Sequence, residues 1–133
     1  MTSHPFSKAG HALWNEIDDP EIMFERFWDE HIEWTEPPTS PNAGTFRGRK
    51  AVVAYLRDWI ENVGRSEHTI EEQVVAGDEV MSAVRLSVQG PRSGVDFDTP
   101  LFFVERVREG KVDRIRVFYD RVEALNALGL DHP

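Results

Sequence analysis

Residues 94–119 read GVDFDTPLFFVERVREGKVDRIRVFY. Two runs rich in β-branched and aromatic residues flank a turn at Gly110; such side chains suit a pleated, half-buried surface, and glycine readily adopts positive φ at a bend. On the second arm, Ile115 and Val117 alternate with Arg114 and Arg116, so one face is apolar and the other is polar. The stretch predicts a long antiparallel hairpin with one face against a core.

The other elements follow from the spacing of apolar residues on either side of this hairpin. In chain order the pattern predicts a loose segment 1–8, helices 9–15 and 20–28, a strand 31–36, a loop 39–45, the main helix 49–63, strands 67–75 and 80–89, a link 90–93 and a terminal helix 120–129. Helices packed on one face of a curved antiparallel sheet make an α+β domain, with a conical cavity between the layers.

Composition limits the classes of function. The chain has 133 residues, which fits one domain spanning 1–133, and a formal net charge of −9, which repels nucleic acids and anionic membranes. It contains no cysteine and no apolar run near the length of a membrane-spanning helix. The histidines and carboxylates show no metal-binding spacing. We expect a cytoplasmic protein with no metal, cofactor, nucleic-acid partner or membrane.

Several segments resemble one known family. They are IEWTEPP at 32–38, GTFRGRKAV at 44–52 followed by the main helix, SGV at 93–95, REGKVDRIRV at 108–117 and ALNALGL at 124–130. In order and spacing they resemble the SnoaL-like branch of the nuclear transport factor 2-like superfamily over about residues 10 to 130. The resemblance implies a cone-shaped α+β barrel, frequent dimers through the exposed sheet face, and an internal pocket. In that superfamily the pocket serves polyketide cyclases, ketosteroid isomerases, dehydratases, epoxide hydrolases and proteins with no known activity.

Glu36 is the first candidate site residue. It shares a strand face with Ile32 and Trp34, because alternate residues of a strand point the same way, so it is expected to enter the cavity. There it would bond a Tyr or Trp donor or hold its proton near neutral pH. It also resembles, in its place before Pro37, the general-base aspartate of ketosteroid isomerases. The alternative is a rim carboxylate bonded to the backbone beside that proline.

Asp98 and His68 are the other catalytic candidates. Asp96 and Asp98 share one face of the first hairpin arm, so Asp98 is either an acid/base in the cavity or a solvated edge charge, and Pro100 suggests a bulge that alters the alternation. His68 alternates with Ile70 and either reaches the cavity mouth or remains an ordinary exposed or hydrogen-bonded side chain.

Aromatic residues provide the candidate ligand-binding wall. Trp14, Trp34, Tyr55, Trp59, Phe102 and Tyr119 are either core residues or the wall of a pocket for a flat apolar ligand. Arg85, Arg106, Arg114 and Arg116 are predicted to form the outer sheet face and the salt bridges of a homodimer; the alternative for Arg85 is anion binding.

Two departures narrow the chemistry that the resemblance implies. Phe102 stands about where the isomerases place a protonated aspartate of the oxyanion hole. The segment Arg85-Leu86-Ser87 lacks the aspartate of the Arg-x-Asp motif of limonene-epoxide hydrolases. Steroid isomerisation and epoxide hydrolysis are therefore disfavoured.

Two functional hypotheses remain. In the first, the protein performs cofactor-free acid/base chemistry on a small apolar carbonyl compound, such as cyclisation, isomerisation or dehydration, with Glu36 or Asp98 moving the proton. In the second, the same residues seal the pocket of a non-catalytic ligand-binding or dimerisation module. A titratable carboxylate deep in the pocket favours the first hypothesis.

Overall fold

The computed structural model describes residues 3–89 and 96–128. The helices are α1 (Pro5–Trp14), a single 3₁₀ turn (Pro20–Ile22) leading into α2 (Met23–Arg26), α3 (Arg49–Asn62) and α4 (Arg121–Leu128). The strands are β1 (Trp28–Glu36), β2 (Gly44–Arg47), β3 (Arg65–Ala76), β4 (Glu79–Gln89), β5 (Asp96–Arg108) and β6 (Lys111–Phe118). The predicted link 90–93, the first two residues of the quoted stretch and the residues after Leu128 lie outside the described residues.

The six strands form one curved, unclosed sheet in the order β2-β1-β6-β5-β4-β3. The α+β class is confirmed, and neighbouring strands are antiparallel except β1 and β6, which pair in parallel. The prediction of a wholly antiparallel sheet is wrong at this pair, because local alternation carries no information on which distant strands become neighbours. The parallel pair places Trp34 and Thr35, near the end of β1, beside Ile115 and Arg116 of β6.

The predicted hairpin is confirmed in β5 and β6. Its turn has Glu109 at φ 52° and Gly110 at φ 76°. Two successive residues in the left-handed region are typical of the tight turns whose twist matches that of the flanking strands.

The N-terminal segment is ordered, and the prediction that residues 1–8 are loose is wrong for the part described. Helix α1 begins at Pro5, one turn earlier than predicted, because the His4 side chain accepts a hydrogen bond from the Ser7 N–H at 3.1 Å. Proline at the first helical position has no N–H to leave unsatisfied. The earlier start brings Ser7 into the protein interior, where it is 2% exposed.

The helix predicted at 20–28 is shorter than expected. It ends at Arg26, and Trp28 is already the first residue of β1. The Val112 N–H donates to the Phe27 carbonyl oxygen at 2.7 Å, which draws the chain into the sheet. The predicted loop 39–45 ends early as well, since Gly44 starts β2 and pairs with Glu36.

Apolar residues are buried on both faces of the sheet. The larger cluster lies between the inner face and helices α1 to α3, and a smaller one of Met81, Val104, Ala124 and Leu128 lies under α4 on the outer face. The prediction that all helices cover one face is therefore wrong for α4. Val80 and Met81 are adjacent in β4, so their side chains point to opposite faces of the sheet. Both are 0% exposed, which shows that both faces of β4 are covered by other parts of the protein.

None of the helices among residues 3–89 and 96–128 combines the length and apolar character needed to cross a bilayer.

Candidate active-site cavity

A cavity of about 310 Å³ lies between the inner face of the sheet and helices α1 and α3. Its wall is mostly apolar and aromatic. The ionisable side chains among the described residues that line it are His11, Glu36, Tyr55, His68, Glu105 and Tyr119. An apolar cavity with a few converging polar groups is the usual form of a small-molecule site.

Glu36 lies in this cavity, where its strand position places it. The residue is 8% exposed, and its Oε2 accepts a hydrogen bond from Trp34 Nε1 at 2.7 Å. Both side chains leave the same face of β1, so the indole of Trp34 supplies the donor two residues away. The carboxyl thus points inward and bonds a Trp donor, and the rim alternative is excluded for this residue.

Burial governs the electrostatics of Glu36. Desolvation raises the pKa of its carboxyl above the ordinary glutamate value, and hydrogen bonds from Trp34 and Tyr55 offset only part of this rise. The same surroundings raise the pKa of the Tyr55 hydroxyl, through burial first and then the nearby Glu36 charge. A general acid or base is most effective when its pKa lies close to the pH at which the protein acts, so a raised pKa suits a carboxyl to proton transfer better than the ordinary value does.

Five of the six aromatic residues proposed for the wall line the cavity. They are Trp14, Trp34, Tyr55, Trp59 and Tyr119, and Tyr119 is 45% exposed, which places it at the opening. Phe102 is not part of the wall: it packs with the cluster under α4 on the outer face. Its neighbour Phe103, 4% exposed, faces the cavity instead.

Asp98 lies outside the cavity, so the cavity hypothesis for this residue is wrong. Leu101 and Phe103 line the cavity, whereas Asp98 is exposed and shares the outer face of β5 with Phe102. The bulge suggested by Pro100 is absent from the pairing of β5 with β4, which runs without a shift from Asp96 to Arg106. Both Asp96 and Asp98 are thus surface charges.

His68 reaches further into the protein than the cavity mouth. Its ring lies 5.4 Å from Phe103 and 5.8 Å from Trp14, centroid to centroid, and is nearly parallel to both. Asn15 fixes the backbone, accepting from the His68 N–H at 2.7 Å and donating to its carbonyl oxygen at 2.9 Å. Burial, and after it the charge of His11, lowers the pKa of His68 well below the usual histidine value.

Three buried polar residues beside His68 were not predicted from the sequence. Ser7 Oγ donates to Glu105 Oε1 at 2.6 Å, and His11 Nε2 lies 3.2 Å from the same oxygen. His11 Nδ1 lies 2.9 Å from His68 Nδ1. A chain of four side chains thus runs from helix α1 through β5 to β3.

The pKa of Glu105 is shifted in the opposite direction to that of Glu36. Burial alone would raise the pKa of Glu105, but the charge and hydrogen bond of His11, together with the bond from Ser7, outweigh it and hold that pKa below the ordinary value. Glu105 is therefore an ionised carboxylate in the interior, 5% exposed.

Sequence patterns did contain a signal for these residues. Glu105 follows the inward-facing Phe103 by two positions, as Glu36 follows Trp34, and Ser7 and His11 are separated by one helical turn. The signal depended on the start of α1, which was predicted one turn too late, and on the inward face of β5, which the sequence left open.

The arginines of the outer face form ion pairs within the chain. Arg106 bonds Asp113 at 2.8 Å, and Arg114 and Arg116 both bond Glu79 at 2.9 Å. Arg85 lies near Glu71 at 3.4 Å. In the described part of the chain, no three His, Asp or Glu side chains converge in a way that would hold a metal ion.

The curved sheet, the covering helices and the largely apolar cavity define an α+β protein of the ketosteroid isomerase-like fold class. The chain belongs to the SnoaL-like domain family, whose model matches residues 10–115. The family predicted from the sequence segments is thereby confirmed. Among curated proteins, none matches the chain.

Solved structures share the fold at low sequence identity. A hypothetical protein with a ketosteroid isomerase-like fold from Catenulispora acidiphila, in complex with trimethylamine, is 17% identical; the match covers 93% of this chain and 92% of that one, with a TM-score of 0.72. A putative SnoaL-like polyketide cyclase from Mesorhizobium loti is 21% identical over 86% and 97% of the two chains, with a TM-score of 0.68. Another from Jannaschia sp. is 19% identical over 98% and 97%, also with a TM-score of 0.68.

Proposed function

We propose that the protein binds a small, largely apolar carbonyl compound in the cavity and catalyses a cofactor-free proton transfer on it, in an isomerisation, cyclisation or dehydration. The observation that carries the proposal is the Glu36 carboxyl, 8% exposed inside the cavity and held by Trp34 at 2.7 Å. Asp98, the other carboxylate considered for this role, is excluded by its position on the outer face.

The cavity suits both parts of this function. A volume of about 310 Å³ accepts one small molecule, and aromatic side chains favour a flat apolar one. Glu36 and Tyr55 lie together at one polar point of the wall, where a carbonyl oxygen would find hydrogen-bond donors. Removal or return of a proton next to a carbonyl needs an acid or base of this kind and no cofactor.

The likeness to putative polyketide cyclases from Mesorhizobium loti and Jannaschia sp. supports the same class of chemistry. Cyclisation and isomerisation of carbonyl compounds both begin with the movement of a proton at carbon, so one acid/base site serves either reaction.

Deuterium exchange tests the proposal even while the natural substrate is unidentified. A panel of small cyclic and aryl ketones is incubated with the protein in D₂O, and loss of the signal from hydrogens next to the carbonyl is followed by ¹H NMR. We expect the protein to accelerate exchange for part of the panel and Glu36→Gln to lose about 100-fold or more of that rate. The variant keeps the shape of the side chain and the acceptor for Trp34, so its fold should persist.

Asp98→Asn is the matched control, since it removes one carboxylate from the exposed outer face. Its exchange rate should equal that of the parent. Equal turnover by Glu36→Gln and the parent would contradict the assignment of Glu36.

The non-catalytic alternative has one observation in its favour. Glu36 already has two protein partners, Trp34 and Tyr55, so its carboxyl is stabilised without any ligand. Saturable binding of panel ketones with no exchange in the parent would support a ligand-binding module instead.

A further inference from the structure

A second polar point lies in the same cavity, away from Glu36 and built from different elements. It is the chain Ser7–Glu105–His11–His68, which we call the histidine relay. Ser7, His11 and Glu105 are 2%, 8% and 5% exposed, so the relay is shielded from bulk water, and all four of its residues line the cavity. Buried Ser82 and Gln73 extend the relay on its Ser7 side. Packing alone does not require two imidazoles and a carboxylate in the interior, since buried polar groups are costly unless they are bonded.

The distances restrict where the hydrogens lie. An ionised carboxylate can only accept, so the contact of 3.2 Å between Glu105 Oε1 and His11 Nε2 requires the hydrogen on Nε2. The contact of 2.9 Å between the two Nδ1 atoms requires one hydrogen between them. Three arrangements satisfy both contacts: both rings neutral, a cation on His11, or a cation on His68. The third leaves its charge without a carboxylate partner, so the first two are compared.

In the first arrangement both rings are neutral. His68 carries its hydrogen on Nδ1 and donates it to His11, so His68 Nε2 bears a lone pair. In the second, His11 is a cation with both nitrogens protonated, and His68 accepts at Nδ1 and carries a hydrogen on Nε2. One added proton separates the two arrangements. Within the described part of the chain, no side chain hydrogen-bonds to His68 Nε2.

We infer that His68 Nε2 is the proton acceptor of this cavity and that the histidine relay passes the resulting charge to His11, where Glu105 stabilises it. The inference rests on the proposed function for its substrate and assigns the second of the two proton-transfer groups that such a reaction needs. His11 and Glu105 act through His68 and are positioning residues.

Atoms and charges balance in this transfer. The C–H bond next to the substrate carbonyl breaks, its proton goes to His68 Nε2, and its electron pair forms the new C=C bond. The carbonyl oxygen takes the proton of the Glu36 carboxyl, which leaves an enol and a Glu36 carboxylate. The hydrogen of His68 Nδ1 moves to His11 Nδ1, so the positive charge comes to rest beside Glu105. Return of the proton to another carbon completes an isomerisation and restores both groups.

The neighbouring groups favour this direction of transfer. Phe103 lies between the two polar points, with its ring 5.4 Å from that of His68 and 6.2 Å from that of Trp34. The ring of Phe103 lies 5.4 Å from both imidazoles, so it does not distinguish them. The difference is the carboxylate: a cation on His11 lies 3.2 Å from Glu105, and His68 has no such partner among the described contacts. The other titratable groups facing the relay and the cavity are His4 from the start of α1, Glu36 from β1, Tyr55 from α3 and Tyr119 after β6.

Nitrogen-15 NMR of the imidazoles tests the inference in the ligand-free protein, because the shifts of Nδ1 and Nε2 report which nitrogen carries hydrogen. At alkaline pH we expect His68 to carry hydrogen on Nδ1 and none on Nε2. On acidification His11 should take the imidazolium signature while His68 changes to the Nε2–H tautomer without becoming a cation. An imidazolium on His68 with a neutral His11, or hydrogen on His68 Nε2 at alkaline pH, would overturn the inference.

A matched pair of variants adds the functional arm. Glu105→Gln removes the charge that stabilises the His11 cation, and Glu71→Gln makes the same change on an exposed glutamate that pairs with Arg85. In Glu105→Gln we expect the nitrogen shifts of His11 to depart from those of the parent, because the acceptor of the Nε2 hydrogen loses its charge, and ketone deuterium exchange to fall at least about tenfold. Glu71→Gln should match the parent in both.

The outcomes separate the two proposals. Should Glu105→Gln retain the parent's nitrogen shifts and exchange rate, the relay is overturned. Should the parent show the expected nitrogen shifts but exchange no ketone, the proton relay is supported and the proposed reaction fails. The titration of the parent needs no variant, so poor folding of Glu105→Gln leaves the test intact.

Discussion

Glu36 and Glu105 occupy similar local positions, each two residues after an inward-facing aromatic side chain, but the protein treats their charges differently. Glu36 has only neutral donors, Trp34 and Tyr55, so burial dominates and raises its pKa. Glu105 has His11 and Ser7, whose combined effect exceeds that of burial and lowers its pKa. The environment of Glu36 therefore favours its protonated form, and that of Glu105 favours its ionised form. Opposite shifts of this kind let one carboxyl donate a proton while the other stabilises a neighbouring cation.

The raised pKa of Glu36 predicts how stability depends on pH. Below the unfolded-state pKa, near the ordinary value of 4.5, Glu36 is protonated in both states and its contribution to stability is complete. As the pH rises through the higher folded-state pKa, that contribution is lost, by about 1.4 kcal/mol for each pH unit that separates the two pKa values. Glu36→Gln lacks this loss, so its free energy of unfolding relative to the parent should increase from about pH 4 to about pH 7.

Urea unfolding of the parent and the variant at the two pH values measures this difference. Asp98→Asn, which removes an exposed carboxylate, is the control for the effect of total charge. A difference between Glu36→Gln and the parent that is constant with pH, or that shrinks toward neutral pH, would be inconsistent with a raised pKa.

At the scale of single elements, the alternation of apolar and polar residues located the strands well. It did not always show which face of a strand points into the protein. In β1 the polar residues on one side made the inward face evident, and Glu36 was placed correctly. In β5 both Phe102 and Phe103 are apolar, because α4 covers the outer face, so the sequence shows no polar side. Cavity positions for Asp98 and Phe102 stayed open alternatives for this reason, and Glu105 was missed.

Contacts between distant residues were beyond the reach of local patterns. Ser7 and Glu105 are 98 positions apart, and His11 and His68 are 57 apart. Their meeting depends on α1 crossing β3 and on the order of strands in the sheet. The sequence therefore predicted the fold class, the family and the Glu36 side of the cavity, but only His68 of the histidine relay.

The two faces of β5 predict different effects for adjacent substitutions. Phe103→Leu changes a side chain in contact with both His68 and Trp34, so affinity for the panel ketone that binds best should fall by about 1 kcal/mol, or roughly fivefold. Phe102→Leu changes the cluster under α4 and should leave that affinity unchanged. Quenching of tryptophan fluorescence on titration with the ketone measures both, and equal losses of affinity would contradict the assigned faces.

At the scale of the whole molecule, we propose that two copies of the chain associate through the outer face of the sheet. Antiparallel strands present a surface there, as expected from the sequence, although α4 covers part of it. The arginines of this face pair with carboxylates of their own chain, so salt bridges between copies would contribute little to the interface.

Sedimentation velocity at micromolar concentration should therefore give a mass of twice 15.3 kDa. Because the intrachain ion pairs are already satisfied, raising the salt concentration should change the association little. A single species of 15.3 kDa across that concentration range would remove the dimer.

The central claim is that burial in the cavity raises the pKa of the Glu36 carboxyl above the ordinary glutamate value, and the titration of Glu36 tests it directly. Protein labelled with ¹³C at the glutamate carboxyl carbon is titrated by NMR, and the Glu36 resonance is identified by its absence from Glu36→Gln. We predict a titration midpoint above the ordinary glutamate value of 4.5, displaced toward neutral pH. A midpoint at or below 4.5 would show that Glu36 is an ordinary ionised carboxylate and would contradict the account.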